Sequence, residues 1–378
     1  MTGVKNILAA GAGFFLCCTV SCTAHKTIAA GTATNRDSQV LFSVDVSAPG
    51  VGEKINRHLQ QLQGFSGAVI VEVGNEKILQ AGYGFADREN KVPYTTRTIS
   101  DLASLTKQFT AATIVSLSQQ GHFNLQDSLG KFFPELQPPQ STITVDQVLT
   151  HSAGLSEYSG PDYKELSKEK FLYNVSREKL RFKPGEKYLY SNTGYSVLAL
   201  IIEKVTNDDF EKLVSGLFFE PNHLSIGFNL RHFKPTDFAT YYQKGRNKGN
   251  SYLKKKALKE NYWALKGNAG FYASAEEMYK WHKVLQNDLL ISPTIKAALY
   301  RPRFRRGDQL YYGYGWNVRT DQDGKVNQVS HGGSDDIMSC YWMELPAKKT
   351  WIYVSSNTSE FKATAVTLDI LNIISGRD

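Results

Sequence analysis

Cysteine is scarce in this chain and oddly placed. Of four cysteines in 378 residues, Cys17, Cys18 and Cys22 fall close to the N-terminus and Cys340 stands far away. If the chain is cleaved before Cys22 and that residue is lipidated, Cys340 has no intramolecular partner, and the core must hold by packing, which this length permits. Long apolar runs are also missing: "VLALII" (Val197 to Ile202) has the length of a buried helix segment, not of a membrane span. There is no Gly-x-Ser-x-Gly elbow, which argues against an α/β-hydrolase. The chain has no His-Glu-x-x-His, its eight histidines are scattered, and it has no phosphate-binding glycine loop followed by Lys-Ser/Thr. The expectation is therefore neither cofactor nor metal. Net charge is +8 and uneven: residues 231–260 hold nine Lys/Arg against two Asp/Glu, and "RPRFRR" follows at Arg301 to Arg306. With no nucleic-acid motif present, these read as solvated basic loops and no nucleic-acid partner is expected.

The N-terminus carries an export pattern. Lys5 precedes the apolar run "ILAAGAGFFLCC" (Ile7 to Cys18), too short to span a bilayer and placed like a signal-peptide core. It leads into "TVSC", which resembles a relaxed bacterial lipobox with Thr19 where leucine is usual. Residues 1–22 are thus expected to be a signal peptide with lipidation at Cys22, and residues 23–47 a Thr/Ala/Ser-rich tether. That places the protein in the periplasm or cell envelope, touching a membrane only through the lipid.

From residue 48 the pattern is that of one folded domain. "VGEKINRHLQQL" spaces Ile55, Leu59 and Leu62 on one helix face. "SGAVIVEV" and "KILQAGYGF" read as strands joined through Gly74, Asn75 and Glu76. A helix capped by Ser100 or Asp101 should run to Gly121. Residues 121–260 read as helical segments broken by Pro and Gly. The period then returns to two in "GYGWNV", "VNQVSHGG", "SCYWMEL" and "TWIYVSS", before a closing helix "KATAVTLDILNII". Strands at both ends with helices between them imply an α+β fold. One antiparallel sheet comes from residues 48–100 and 265–378, flanked by helices, with a mostly α-helical insertion at 101–264.

Three short motifs carry chemistry. "SLTK" puts Ser104 and Lys107 on one helix face, among Leu102, Leu105, Phe109 and Ile114. A serine hydroxyl needs a neighbouring base, and a desolvated lysine loses pKa, so the pair supplies nucleophile and base together. The spacing alone is weak: it recurs elsewhere in the chain, as at Ser167, Ser176 and Ser251 in polar, lysine-rich surroundings. "YSN" (Tyr190 to Asn192) is the chain's sole Tyr-x-Asn, and "HGG" (His331 to Gly333) its sole His-x-Gly. Taken singly, a core tyrosine, a capping asparagine and a structural strand-end histidine explain these residues as well.

Ser-x-x-Lys, Tyr-x-Asn and His-Gly-Gly in that order resemble the serine β-lactamase-related family: class C β-lactamases, D-alanyl-D-alanine carboxypeptidases, D-aminopeptidases and esterases of one β-lactamase/transpeptidase-like fold. "ITVDQVLTHSAGL", "FKPGEKYLYSNTGYSVLALIIEKV" and "GNAGFYASAEEM" are similar to further family segments, so the likeness spans about residues 50–378. It implies a serine hydrolase in which Ser104 forms an acyl-enzyme and Tyr190 with Lys107 moves the proton. Asn192 would orient the substrate or Lys107, and His331 would supply positive charge or a hydrogen bond. The backbone N–H groups of Ser104 and Ser334 would form the oxyanion hole, and Gly332 and Gly333 would line the substrate site. His151, in "THSAG", is implied to be structural. Many relatives carry Lys in place of His331, which tilts the expectation from an efficient β-lactamase toward an ester or D-amino-acid-type amide. A penicillin-binding carboxypeptidase, a weak class C-like β-lactamase and an inert binding module of the same fold are the alternatives. Asp335 and Asp336 would disfavour an anionic substrate tail if they face the cleft. Tyr262, Trp263 and Phe271 either line the cleft or fill the core.

Overall fold

A computed structural model describes residues 41–45 by backbone and 50–377 in full, apart from residues 159, 163, 229, 231–232, 259–260, 289–290 and 336. The expected signal peptide, Cys22 and Asp336 lie outside the described residues. One difference from the expected tether falls inside them: Leu41–Asp45 is a strand, paired antiparallel with Glu76–Tyr83 at the sheet edge.

The sheet is antiparallel throughout and is assembled from both ends of the chain. Its order is Leu41–Asp45, Glu76–Tyr83, Gly67–Val73, Thr350–Ser356, Ser339–Leu345, Val326–Ser334, Asn317–Thr320, Leu310–Tyr312 and Phe304–Gly307. Gly67–Val73 and Glu76–Tyr83 are joined by Gly74 and Asn75, both with positive φ (64° and 70°). That two-residue left-handed turn matches the twist of a hairpin, and Glu76 belongs to the second strand.

Alternation along the strands sorts the core into two layers. Val69, Val71, Leu79 and Ala81 pack with Ile352 and Val354 against Ile55 and Leu59 of helix Val51–Gln61 and Val366 and Ile370 of helix Ala363–Ile374. Ala68 and Ile70 face the opposite side with Trp342, Trp351 and Tyr353, where the helical part packs. Burying each such large side chain is worth about 1.5–3 kcal/mol, so no disulfide is required. Cys340 is buried and free.

At the centre of the helical layer lies Thr106–Gln119, in which every residue from Thr106 to Leu117 is buried. Its start differs from the expected cap. Ser100–Asp101 is a short strand paired with Tyr272–Ala273, and Ala103–Leu105 is a 3-10 turn preceding the α-helix. Asp101 still caps the turn, its Oδ1 accepting the Ala103 N–H at 2.8 Å. The stretch read as helical also contains a hairpin, Tyr241–Gln243 with Arg246–Gly249, turning at Lys244 and Gly245 with positive φ.

Tyr262, Trp263 and Phe271 do not line the cleft beside Ser104. They border a separate cavity of about 1040 Å³ with Lys266, Glu203 and Asp209. In the basic 231–260 stretch, Lys255 departs from the solvated reading: its ammonium is buried against Asp101.

Candidate active site

Ser104 is presented by a strained connection. Ala103, immediately before it, has φ of 42°, in the left-handed region that costs a side-chain-bearing residue about 1 kcal/mol or more. Two strand contacts hold that geometry. Leu102 N–H donates to Phe271 O at 2.8 Å, and the Cys340 thiol donates to Leu102 O at 3.2 Å. Gly333 sits against the same carbonyl so closely that a Cβ there would lie 2.1 Å from Leu102 O. This is a close backbone approach for which "HGG" needs glycine.

Lys107 is fully buried, one turn along. Its Nζ lies 2.6 Å from Asn192 Oδ1, 2.8 Å from Asn268 O and 3.1 Å from Ser104 Oγ. Burial pushes its pKa well below the ordinary lysine value, opposed in part by the negative charges of Asp162 and Glu157. Nζ donates to two pure acceptors, Asn192 Oδ1 and Asn268 O, and to Ser104 Oγ; loss of one proton, which burial favours, would leave its lone pair facing the Ser104 hydroxyl.

Asn192 opens helix Asn192–Thr206, but the cap is Ser191, whose Oγ accepts the Gly194 N–H at 2.9 Å. The Asn192 amide is thereby free to hold Lys107 through its Oδ1, while the residue also borders the cavity beside Ser104. Asn268, not singled out in the sequence, is the third anchor, and its Nδ2 is fixed by Ser196 Oγ (2.8 Å) and Ala264 O (2.7 Å). The signal was present in "GNAGFY", but a backbone carbonyl as ligand leaves no side-chain motif.

The Tyr190 hydroxyl hydrogen-bonds Ser104, and burial raises its pKa above the ordinary phenol value. Lys107 Nζ stands over the face of the ring, 4.8 Å from its centroid. Tyr190 is therefore a phenol in the resting site, not the phenolate that cationic neighbours would favour. His151 supports it from behind. Its ring lies 4.4 Å from that of Tyr190 and 4.5 Å from that of Tyr312, and its Nδ1 accepts the Ser191 N–H at 3.0 Å.

His331 differs most from its expected role. Burial pushes its pKa down to about 3, aided by the positive charges of Lys107 and Arg306 and opposed by a hydrogen bond to Gly332 O. Neutral, it donates from Nδ1 to Gly332 O (2.8 Å) and accepts the Tyr312 hydroxyl at Nε2 (3.0 Å). Both nitrogens are thus used within the protein, and the ring supplies no positive charge at neutral pH. It lies 6.3 Å from the Tyr190 ring, in the wall behind it.

This has a consequence for stability. The fold keeps His331 neutral down to about pH 3, while the unfolded chain protonates near ~6.5. Below ~6.5 the unfolded state binds the extra proton, so stability falls as pH drops, by at most ~1.4 kcal/mol per pH unit for this group. Urea unfolding of a His331→Gln variant, compared with wild type at pH 6, 5 and 4, should show a slope shallower by about that amount. An unchanged slope would mean that His331 is charged in the fold.

Ser104 and Asn192 open onto a cavity of about 620 Å³ whose walls include Ser334, Asp335, Asp162, Asp101 and Lys255. Ser334, the other expected oxyanion donor, is brought to the same cavity as Ser104. Gly332 and Gly333 lie in the strand beneath it. Among the described residues, no group of three His, Cys, Asp or Glu side chains is arranged to hold a metal ion.

A family model described as Beta-lactamase matches residues 55–373. The chain belongs to that family. Penicillin-binding protein 4* of Bacillus subtilis is 27% identical over 331 residues, covering 80% of this chain and 72% of that protein. Protein flp of Staphylococcus aureus is 28% identical over 322 residues, covering 81% of this chain, which spans 62% of flp. In fold, the chain is like the crystal structure of a penicillin binding protein from Bacillus halodurans, with TM-score 0.72, 24% identity and coverage of 85% and 99%. It is equally like the octameric penicillin-binding protein homologue from Pyrococcus abyssi, with TM-score 0.73, 24% identity and coverage of 86% and 77%. The α+β architecture with an antiparallel sheet flanked by helices agrees with these neighbours, and membership supports a serine hydrolase of this superfamily.

Proposed function

We propose that the protein is a serine hydrolase that forms an acyl-enzyme on Ser104 and hydrolyses an ester or a D-amino-acid-type amide. The observation that carries this is the buried Lys107 Nζ, held by Asn192 Oδ1 and Asn268 O at 3.1 Å from Ser104 Oγ, with a pKa that burial lowers. In this reading Lys107 takes the hydroxyl proton as Ser104 Oγ attacks the substrate carbonyl carbon. The N–H groups of Ser104 and Ser334 receive the developing oxyanion, each such donor being worth about 10²–10³ in rate. As the carbon–heteroatom bond breaks, the Tyr190 phenol protonates the leaving group and regains its proton from the Lys107 ammonium. Water then attacks the acyl ester, giving its proton back through the same pair. Export with lipid anchoring at Cys22 is part of the same proposal, resting on the N-terminal sequence pattern.

The experiment is intact-protein mass spectrometry of residues 23–378, which keep the Leu41–Asp45 strand, after mixing with p-nitrophenyl acetate or benzylpenicillin. An acetyl adduct that forms and decays is expected. A lasting penicilloyl adduct would move the reading to a penicillin-binding peptidase, and no adduct from either compound would leave an inert module of this fold.

A further inference from the structure

We propose that the Ser104 cleft selects substrates that carry an ammonium group, with Asp162 and Asp335 holding that group. The proposal rests on the hydrolase reading, because it is Ser104 and its base that make this cavity a substrate site. The carboxylates decide only which charge is welcome there.

Among the described residues, the charged side chains on the cavity wall are Asp101, Asp162, Asp335 and Lys255. Two of them cancel. Lys255 Nζ is bound to Asp101 Oδ2, both side chains being 4% exposed, and Ser251 Oγ and the Ala103 N–H supply the remaining contacts. Asp335 and Asp162 are left, with the Lys362 ammonium 3.4 Å from the main-chain carbonyl of Asp335. The Asp335 carboxylate is fixed from one side, its Oδ1 accepting the N–H groups of Ile337 and Met338 at 2.7 Å each. The second oxygen adds a charge that these two bonds do not neutralise. Asp162 stands on the Gly160–Asp162 wall, half-buried.

The electrostatics agree with two uncompensated carboxylates in one space. Burial raises both pKa values, the charge of Asp101 raises them further, and Asp335 acts on Asp162 in the same sense; Lys255 offsets part of this for both, Lys107 for Asp162, and the Met338 and Ile337 N–H bonds for Asp335. A positive group entering the cavity would relieve that repulsion.

An anionic substrate group meets no such welcome. Lys107 is turned inward to Asn192 and Asn268, and Lys255 is taken by Asp101. His331 is neutral behind Tyr190, and Arg306 lies over the Tyr188 ring, 4.4 Å from its centroid. No free cation among the described wall residues stands ready for a carboxylate.

The test uses three p-nitrophenyl esters of similar length: 6-aminohexanoate (cationic), heptanoate (neutral) and monoadipate (anionic). Their kcat/KM values are measured for wild type, Asp162→Asn and Asp335→Asn, each checked for a native circular dichroism spectrum. For wild type the cationic ester should exceed the neutral one by about tenfold and the anionic one by more. Each Asn variant should lower the cationic-to-neutral ratio by roughly 3- to 10-fold, as should 0.5 M salt in part, in keeping with partly screened ion pairs. Asparagine retains the Oδ1 that accepts the two N–H groups, so the loop at Asp335 keeps its bonds. A wild-type ratio at or below one, or ratios unmoved in both variants, overturns the inference while leaving Ser104-dependent hydrolysis standing. If no ester is turned over, the hydrolase reading falls, and this inference with it.

Discussion

Ser104→Ala should abolish ester turnover, by at least about 10⁴-fold in kcat, and eliminate the acyl adduct, while the protein melts within a few degrees of wild type. The size of the loss follows from the chemistry: a covalent route needs its nucleophile, and residues acting as one unit lose nearly everything when one is removed. The small effect on folding follows from position. Ser104 is half-buried in a 3-10 turn, and its hydroxyl touches Lys107 and Tyr190 without closing any backbone bond. Among the described wall residues the cavity offers one alternative serine, Ser334, and it is badly equipped. Its hydroxyl is committed to the carbonyls of Asp335 (2.5 Å) and Met338 (2.9 Å), with no base among its partners. Stopped-flow release of p-nitrophenol reads both the burst and the steady state. A full burst in the alanine variant would place the nucleophile elsewhere and overturn the role of "SLTK".

Much of this site was legible because its residues are chemically expensive. A lysine among Leu102, Leu105 and Phe109 needs a reason, and periodicity alone put it one turn from a serine. Strand alternation in "AVIVEV" and "TWIYVSS" likewise gave the two-layered sheet, since a half-buried or buried strand has few other ways to sort its side chains. What escaped was information that lives in pairings across the chain. Asn268 acts through a carbonyl, which any residue type possesses. Asp101 and Lys255 meet across 154 positions, so the lysine read as part of a solvated basic run. His331 was legible as a residue, with charge and hydrogen bonding both open as its role. Its neutrality comes from complete burial beside Lys107 and from Tyr312, neither of which the tripeptide "HGG" encodes. The start of the central helix was missed by a few residues for a related reason. The left-handed Ala103 is imposed by the Phe271 and Cys340 contacts to Leu102, against its own local preference.

Lys107→Met should separate activity from stability most sharply. On the chemical side, the variant removes the base that takes the Ser104 proton, and general-base catalysis contributes typically 10²–10⁴-fold. Acylation should fall at least that far at neutral pH. The wild-type rise of kcat/KM with pH, governed by an amine whose pKa burial holds below the ordinary lysine value, should vanish from the variant. On the folding side the sign reverses. In the unfolded chain Lys107 is charged and hydrated at pH 7. Folding strips it of water in a fully buried position with no ion pair of its own, which is a cost that methionine, of similar length and apolar, does not carry. The offsetting loss is two acceptors, Asn192 Oδ1 and Asn268 O, left without their donor, at about 1–3 kcal/mol for each buried group and least for a carbonyl. Asn192 is half-buried and can turn to water in the cavity, so the balance lies near zero or favours the variant. Thermal melts followed by circular dichroism should therefore place Lys107→Met within about 3 °C of wild type or above it, alongside an activity loss of two or more orders of magnitude. A variant that is both inactive and destabilised by ten degrees would show that Lys107 holds the helical layer together and that its place beside Ser104 is structural.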